Sequence, residues 1–465
     1  MRELSTLSGH KRINEPSLIF ANNKRDIHPL RGLCEHGPFS KSLNYLQDIQ
    51  VAIISPFKSN FKLINLIGEL NKSASPKIAP DYYPEYPGFE NLFETKLLTP
   101  KSDLTIELPQ EANQFAQSGD YKTITKYLLH AISKLVAHKS SISVVFIYLP
   151  SSWEKCFTDE NFDLHDQLKA KAAPLGIPIQ IINDNSIQTK CRANVMWGLS
   201  VAIYSKAGGV PWKVEALNED HAYIGLSYAM KTSKEDGTQY TTCCSQVYDP
   251  EGTGFEFIAF DTHEFTQDRQ RNPYLTYNEM HAVMSQSLKI YQDNHGGNIP
   301  NKITVHKTTP FTDQEIEGCY DAFGQNTEVE LLQIVRHPKI KGVRFDNKKA
   351  ANYPCKRGSY FPISKNECLL WIQGTLEGIT KSGKELFKEG GLKPMPKPVL
   401  LRRFSGDGGW HETCSSIVGL SKMDWNNNTI YKSMPVTIVY SKLFASVVKN
   451  VPDINKRIYD YRFFM

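Results

Sequence analysis

The sequence predicts an α/β protein of two domains, a layer built on a parallel sheet followed by a domain built on a mixed sheet. Three observations carry this expectation. The 465 residues are too many for one hydrophobic core. Between residues 49 and 206, apolar strand-like runs alternate with helically spaced ones, the pattern of parallel strands joined by crossover helices. After Trp212 the pattern changes to three consecutive strand-like runs, and only then does helix alternate with strand again. Apolar residues make up 40% and charged ones 22%, which describes a globular chain with ample material for a core. The net charge of +5 is mildly basic, compatible with a nucleic-acid groove and equally with an ordinary enzyme.

The elements follow in order. Residues 1–45 carry scattered Pro, Gly and His without clear periodicity and read as an extended lead-in. A short apolar strand at 49–54 precedes a helix over 59–71. Residues 75–89 hold four prolines and three tyrosines and form an ordered loop or linker. A strand at 103–108 and a helix over 121–137 come next. The run 142–149 is almost continuously apolar and bounded by serines and Pro150, as suits a buried parallel strand. A helix over 164–173, a strand at 177–182 and a helix over 187–206 complete a Rossmann-like layer. Then come strands at 221–230, 240–248 and 254–260, with hairpin signals at 231–237 and 249–253. A helix over 276–294, a strand at 302–306, a helix over 312–323 and a strand at 329–335 follow. Three hairpinned strands, helix, strand, helix is the order of an RNase H-like domain. The expected organisation is a lead-in at 1–45, a Rossmann-like domain at 46–215 and an RNase H-like domain at 216–465. There is no internal repeat or low-complexity tract.

Nine cysteines occur without metal-ligand spacing or a disulfide framework, which points to reduced thiols in a cytosol. Cys243 and Cys244 are adjacent on an expected strand, so their side chains should face opposite ways. The polar N-terminus is followed by no apolar leader core, and no run of 18 apolar residues occurs. The expected location is cytoplasmic, with no membrane span.

One stretch carries chemistry. Ser205-Lys206-Ala207-Gly208-Gly209-Val210-Pro211-Trp212 ends a helix in a lysine, a Gly-Gly break and a Pro-Trp turn. Upstream, His165 and Lys169 stand at i and i+4 on one helix face, and Gln180 opens the next strand. A terminal phosphate carries nearly two negative charges and several acceptor oxygens, so it needs fixed donors. An imidazole, an amide and two ammonium groups at helix ends provide them. Each residue alone has a bland reading, since most lysines are solvated and a lone histidine is usually structural. As a set, with the Lys-x-Gly-Gly-x-Pro-Trp ending, they resemble the 5′-phosphate pocket of Argonaute MID domains. There a Tyr or His, a Lys four residues on, a Gln and a distal Lys hold the guide. The resemblance implies a MID domain at 46–215 and a PIWI domain at 216–465, with His165, Lys169, Gln180 and Lys206 as phosphate ligands. Gln188 rivals Gln180 for the glutamine role. The family often brings its C-terminal carboxylate into this pocket through a metal ion, which here implies Met465 and a Mg ion. The ending Phe463-Phe464-Met465 suits a buried terminus.

The same resemblance can be followed to the PIWI catalytic positions, where acidic residues hold two divalent metals for phosphodiester cleavage. The first falls at Ser227, in Ile224-Gly225-Leu226-Ser227. The second falls at Lys307, in His306-Lys307-Thr308, and the last at Lys442, in Tyr440-Ser441-Lys442. Hard divalent cations need anionic oxygens, and an ammonium would repel them. A lysine could instead take the cation's place beside a target phosphate. Asp261, Glu264 and Asp424 are the nearby acids from which a metal site could be rebuilt. The expectation is a chain that does not itself cut nucleic acid.

The sequence leaves no room for the N-terminal and PAZ domains of long Argonautes. It resembles the short prokaryotic Argonautes, including their lead-in at Pro29-Leu30-Arg31-Gly32-Leu33 and their ending at Tyr461-Arg462-Phe463-Phe464. That resemblance implies a subunit binding guide RNA and complementary single-stranded DNA. It implies a partner with an APAZ domain carrying a TIR, sirtuin-like or nuclease effector. Activation would deplete NAD or degrade DNA and stop an invading plasmid or phage by abortive infection. The heterodimer would oligomerise on activation in some systems. No NAD site is expected in this chain, whose Gly-Gly turns lack the Rossmann spacing. Lys190, Arg192, Arg269, Arg271, Lys422, Arg402 and Arg403 are candidates for backbone contacts. Two other readings stay open: a stand-alone metal-dependent guided nuclease, and an RNase H-like binding protein without a guide.

Overall fold

Five mutually parallel strands and one hairpin-led mixed sheet organise the chain in the computed structural model. It describes residues 9–43, 48–77, 80–81, 83–160, 162–232, 239–250, 252–262, 264–336, 339–346, 349–382, 395–426, 429–451 and 458–465. Two units result. One holds Ile19–Trp212, Trp425–Asn428 and Ser446–Met465; the other holds Met1–Leu18, Lys213–Asp424 and Thr429–Ala445. Both are discontinuous, where the sequence suggested three consecutive spans. The C-terminal segment groups with the parallel sheet because Phe464 and Asn450 offer it hydrogen-bond partners, described below.

In the first unit, strand β1 (Ile49–Ser55) lies parallel to β2 (Val144–Leu149), and β2 lies parallel to β3 (Ile179–Asn183). Short strands Leu97–Leu98 and Thr105–Glu107 pair in parallel with β1. Every residue of β2 is buried, as its unbroken apolar run requires. Helix α1 (Asn60–Leu70) follows β1, and helix α2 (Tyr121–Leu135) packs Ile124, Leu128, Ala131 and Leu135 against Ala52, Ile54, Val145 and Ile147. Helix α3 (Leu164–Ala172) precedes β3.

The lead-in is more structured than its sequence suggests. Pro29–His36 is helical, with the His28 ring accepting from the Leu30 and Arg31 amides and Pro29 in the first turn. The proline-rich stretch packs as an ordered loop. Tyr86 is buried with its hydroxyl on the Leu70 carbonyl, and the Trp197 indole donates to the Pro84 carbonyl. The helix expected over 187–206 is two helices, α4 (Asp184–Gln188) and α5 (Arg192–Lys206). Thr189 is extended between them, and the Arg192 guanidinium takes the exposed carbonyls of Ser186 and Ile187.

In the second unit, the main sheet runs β6 (Gly254–Thr262), β5 (Gln239–Tyr248), β4 (His221–Thr232), β7 (Lys302–Lys307), β8 (Glu328–Arg336), β9 (Val399–Ser405). The first three are antiparallel, β4, β7 and β8 are parallel, and β9 returns antiparallel. This is the RNase H-like order read from the sequence. Glu367–Leu370, Ser359–Pro362 and Lys11–Arg12 extend the sheet beyond β9. The expected link at 231–237 lies mostly outside the described residues. Ala222, Ile224 and Leu226 join Ile303, Val305 and Leu331 on one face, under helices α6 (Tyr277–Asn294) and α7 (Asp313–Phe323). Leu332, Ile334 and Leu401 lie on the other face with Cys414, Ile417 and Val418 of α8 (Trp410–Leu420) and Ile438 of α9 (Val436–Asn450). Cys243 belongs to the first of these clusters and Cys244 does not, as their adjacency on a strand predicts. All nine cysteines are free thiols. No helix among the described residues is long and apolar enough to cross a membrane.

Candidate functional site

Helix α3 is started by Asp163, whose side chain accepts from the Asp166 amide. This sets His165 and Lys169 on the same face, one turn apart. Lys169 is 3% exposed, and its Nζ donates to the Phe464 carbonyl at 2.9 Å. Asn450 ties the same helix down from the C-terminal segment. Its side-chain amide donates to Asp166 at 2.8 Å, and its carbonyl accepts from Gln167 at 2.8 Å.

Lys206 arrives from the last turn of α5 and is 2% exposed. Its Nζ donates to Gln180 Oε1 at 2.6 Å, so the sequence-derived glutamine and distal lysine do meet. The turn after it is forced by packing. Gly208 takes φ +102°, and a Cβ on Gly209 would stand 2.3 Å from the Tyr204 ring. Tyr204 stacks on Phe93 at 4.2 Å and shares a 2.7 Å hydrogen bond with Ser40, which also accepts from the Val210 amide. The Phe39 amide donates to the Pro211 carbonyl and Trp212 is buried. The Gly-Gly-Val-Pro-Trp ending is therefore a tight turn strapped by residues 39–40.

The electrostatics of this pair are unusual. Burial pulls the Lys169 ammonium down to about 8, against the opposing pull of Asp166 and Asp163. Burial, then the nearby Lys169 charge, holds Lys206 well below an ordinary lysine. Both head groups are satisfied only by neutral oxygens, an amide and a carbonyl, and no described carboxylate lies within ion-pair distance of Lys206. Two buried like charges whose head groups bond no carboxylate are costly, even with Asp166 and Asp163 acting at longer range on Lys169. An anion between them would relieve both penalties.

His165 is placed differently from the lysines. About half of its side chain is exposed, with Nδ1 3.7 Å from Asp166. Desolvation by the surrounding protein, then Lys169, lowers its pKa, so at neutral pH the ring is uncharged and offers one N–H donor. Gln188 is exposed on α4, and the glutamine that bonds Lys206 is Gln180.

Met465 is buried, as the apolar ending suggested. The adjoining carbonyl carries the Lys169 ammonium, so a cation already stands beside the terminus. Among the described residues one group of three potential ligands occurs, Asp163, His165 and Asp166, with ligand atoms within 4.8 Å of one another. Asp163 caps α3 and Asp166 is bonded by Asn450. A Mg ion at Met465 would draw on the terminal carboxylate, phosphate oxygens and waters.

The backbone-contact candidates divide by burial. Lys190 is exposed, as are Arg269 and Arg271 on a turn organised by Asp268. Arg402 is exposed and paired with Glu367. Two candidates, Lys422 and Arg403, are overturned by burial, while Arg192 keeps 27% of its side chain exposed. Lys422 is 2% exposed and held by Glu15 and the Pro16 carbonyl. Arg403 is 6% exposed and clamped on Glu330 and Thr413. Arg192 bonds Glu69 and closes the end of α4. These three cations hold the fold.

Of the positions that the resemblance matched to metal ligands, Ser227 and Lys307 lie on opposite faces of the sheet. Along β4 and β7, Leu226 and Val305 point into the α6/α7 core, and so by alternation does Lys307. Its Nζ donates to Glu315 Oε2 at 2.6 Å, over the Phe311 ring at 4.2 Å, with both side chains 0–1% exposed. The expectation that this lysine stands beside a target phosphate is overturned. Ser227 lies on the opposite face. Since Gly225 pairs with His306, Ser227 stands level with Thr308. Lys442 is an exposed residue of α9 whose pKa is lowered by partial burial and by Arg336. Asp424 is buried under Tyr440 and Lys432, Asp261 accepts from Thr242, and Glu264 is exposed. Among the described residues of this unit no three such ligands cluster.

Sequence reasoning missed Asn450 and Glu315. The first acts across 284 residues, with no local signal. The second was legible, because Thr312-x-x-Glu315 is a capping box.

No protein-family model and no curated protein matches the sequence. Solved structures do. Clostridium butyricum Argonaute bound to a guide DNA and a 19-mer target DNA superposes with a TM-score of 0.65 at 14% identity, covering 98% of this chain and 55% of that one. A. aeolicus Argonaute gives 0.62 at 15% identity, covering 99% and 56%. Drosophila Piwi gives 0.62 at 12% identity, covering 98% and 55%. The fold is Argonaute-like over nearly the whole chain, and the chain spans little more than half the length of these structures.

Proposed function

We propose that this chain binds a guide strand by its 5′-phosphate and recognises nucleic acid complementary to it. The observation that carries the reading is the pair of buried lysines, Lys169 and Lys206, whose Nζ atoms bond only neutral acceptors, with no described carboxylate in ion-pair distance of Lys206. A terminal phosphate supplies two negative charges and the acceptors they need, and the neutral His165 ring adds a donor. Gln180 holds Lys206 in place until the phosphate arrives. The Argonaute-like fold favours the same class of ligand, with sequence read by base pairing and the protein sensing duplex shape.

The finer reading follows the short prokaryotic Argonautes. The guide is RNA, the target is single-stranded DNA, and the partner is a cytoplasmic APAZ-bearing effector whose activation depletes NAD or degrades DNA. Cleavage by this chain is not part of the proposal, because Ser227, Thr308 and Lys442 provide no anionic oxygen for a metal. The test is the affinity of the purified chain for a short RNA with and without its 5′-phosphate, in wild type and Lys206→Ala. The variant should lose about one to two decades of affinity for the phosphorylated strand only. Equal losses for both ends would reduce Lys206 to a general basic surface. A specific cut of a labelled target in Mg or Mn would restore the nuclease reading.

A further inference from the structure

Lys206 is held unlike the other buried lysines of the chain. Lys302, Lys307 and Lys422 each bond a carboxylate: Glu412 at 3.2 Å, Glu315 at 2.6 Å and Glu15 at 2.9 Å. Lys169 has Asp166 and Asp163 acting on it at longer range. Lys206 has neither kind of support among the described residues. Its Nζ donates to the amide oxygen of Gln180, and the charge that acts on it is that of Lys169. It is 2% exposed, and burial followed by the Lys169 charge holds it well below an ordinary lysine. The empty pocket therefore stores this side chain as a neutral amine.

A desolvated amine beside a second cation is a nucleophile. Burial also selects what it can attack. The nitrogen is closed to bulky acyl or aldehyde donors and to ions that must shed their water. A small uncharged molecule dissolves into such a place, and carbon dioxide is small, uncharged and electrophilic at carbon.

We propose that Lys206 is a carbamate-forming lysine that adds carbon dioxide in the empty pocket. The nitrogen lone pair forms the N–C bond, one C–O π pair moves onto oxygen, and the nitrogen gives one proton to solvent. An amine and CO2 thus become a carbamate anion and H+, and nothing is oxidised or reduced. The nitrogen keeps one hydrogen, which preserves the bond to Gln180 Oε1. The product supplies the negative charge whose absence leaves the two lysines in opposition. The addition itself stands apart from the reading of the pocket as a 5′-phosphate site, but its consequence rests on that reading. Carbamate and terminal phosphate are anions for one place, so carbon dioxide competes with the strand.

The test uses the full chain in carbon-13 bicarbonate buffer, which supplies carbon dioxide, at fixed ionic strength. Carbon NMR should show a protein carbamate resonance. Trapping with triethyloxonium, followed by peptide mass spectrometry, should place the ester on Lys206 of the wild type. Lys206→Arg, which keeps a cation that does not give up its proton, should lose that resonance. No ester on Lys206, or esters on exposed lysines alone, would overturn the proposal, and this readout needs no variant. A 5′-phosphorylated RNA should erase the Lys206 carbamate, and the same RNA with a 5′-hydroxyl should not. At the carbon dioxide level that half-labels Lys206, competition should weaken the phosphorylated strand about twofold. A Lys206 ester that persists with saturating phosphorylated RNA would leave the carbamate standing and overturn the phosphate reading instead.

Discussion

Lys307→Met separates a structural lysine from a nucleic-acid ligand at a position where sequence alone left the ligand role open. In the folded chain the Lys307 ammonium meets Glu315 Oε2, which also accepts from the Thr312 amide, while Oε1 takes the Tyr228 hydroxyl and the Leu275 amide. Removing the ammonium leaves a fully buried carboxylate without its countercharge. Breaking one side of such a pair costs about 3–5 kcal/mol, because the remaining charge keeps its desolvation penalty. For a unit of this size each kcal/mol lowers the melting temperature by about 2–4 °C, so the expected loss is roughly 6–20 °C. The double variant Lys307→Met/Glu315→Gln removes both charges and keeps one acceptor oxygen for the Tyr228 hydroxyl and the Leu275 amide, at the cost of the Thr312 contact. It should recover at least half of that loss. Thermal melts of the three proteins, with guide–target affinity measured below the transition, decide the matter. An unchanged melting temperature in Lys307→Met together with weaker duplex binding would refute the reasoning, for the ammonium would then reach the nucleic acid and not Glu315.

Four further outcomes are expected. Lys169 titrates at about 8 in the empty pocket, and a bound phosphate lifts it back, so affinity for a 5′-phosphorylated strand should fall about tenfold per pH unit above pH 8. Over the same interval, up to the ordinary lysine value, the unfolded chain binds more protons than the folded one. The unliganded protein should therefore become more stable as pH rises, which urea titration at pH 8 and pH 10 checks. Chelation with EDTA tests the Mg expected at Met465: a lost preference for a 5′-phosphate would put an ion beside the two lysines, and an unchanged preference would assign the phosphate to Lys169 and Lys206 alone. Arg269→Ala/Arg271→Ala should weaken binding evenly across sequences and reduce the salt dependence, whereas Lys422→Met should lower the melting temperature and leave the salt slope alone.

The parts of the molecule that were legible in the sequence are those with a short period or a rigid local signal. Strand β2 announced itself by an unbroken apolar run, and the sheet order followed from the alternation of runs and links. Lys169 and Lys206 were legible because a helical i, i+4 spacing and a Gly-Gly break fix where a head group can go. What could not be read was long-range. The lead-in helix depends on the His28 ring as a cap, and Asn450 acts on α3 from the far end of the chain. The burial of Lys422 and Arg403 depends on Glu15 and Glu330, each distant in sequence. A cation count sees all lysines and arginines alike; only packing separates a surface charge from a clamp.

The slicer positions show how small the margin is between these cases. A motif match places Lys307 at the second metal ligand, but a strand reverses the direction of its side chains at every residue. An offset of one therefore moves a side chain through the sheet, from the groove face of Ser227 to the α6/α7 core. Two facts of the sequence decide the direction without a structure. Ile303 and Val305 fix the core parity of β7, which Lys307 shares. Eight residues on, the capping-box acid Glu315 opens α7 where its carboxylate can reach back to the strand end. A lysine that continues a core stripe and has a helix-start glutamate waiting for it is a buried pair before it is a surrogate metal. The same test applied to Lys206 gives the opposite answer: it is buried like Lys307, but its partner is the uncharged Gln180 and its neighbour is another ammonium. The missing countercharge at Lys206, more than the burial, is what the proposed phosphate site rests on.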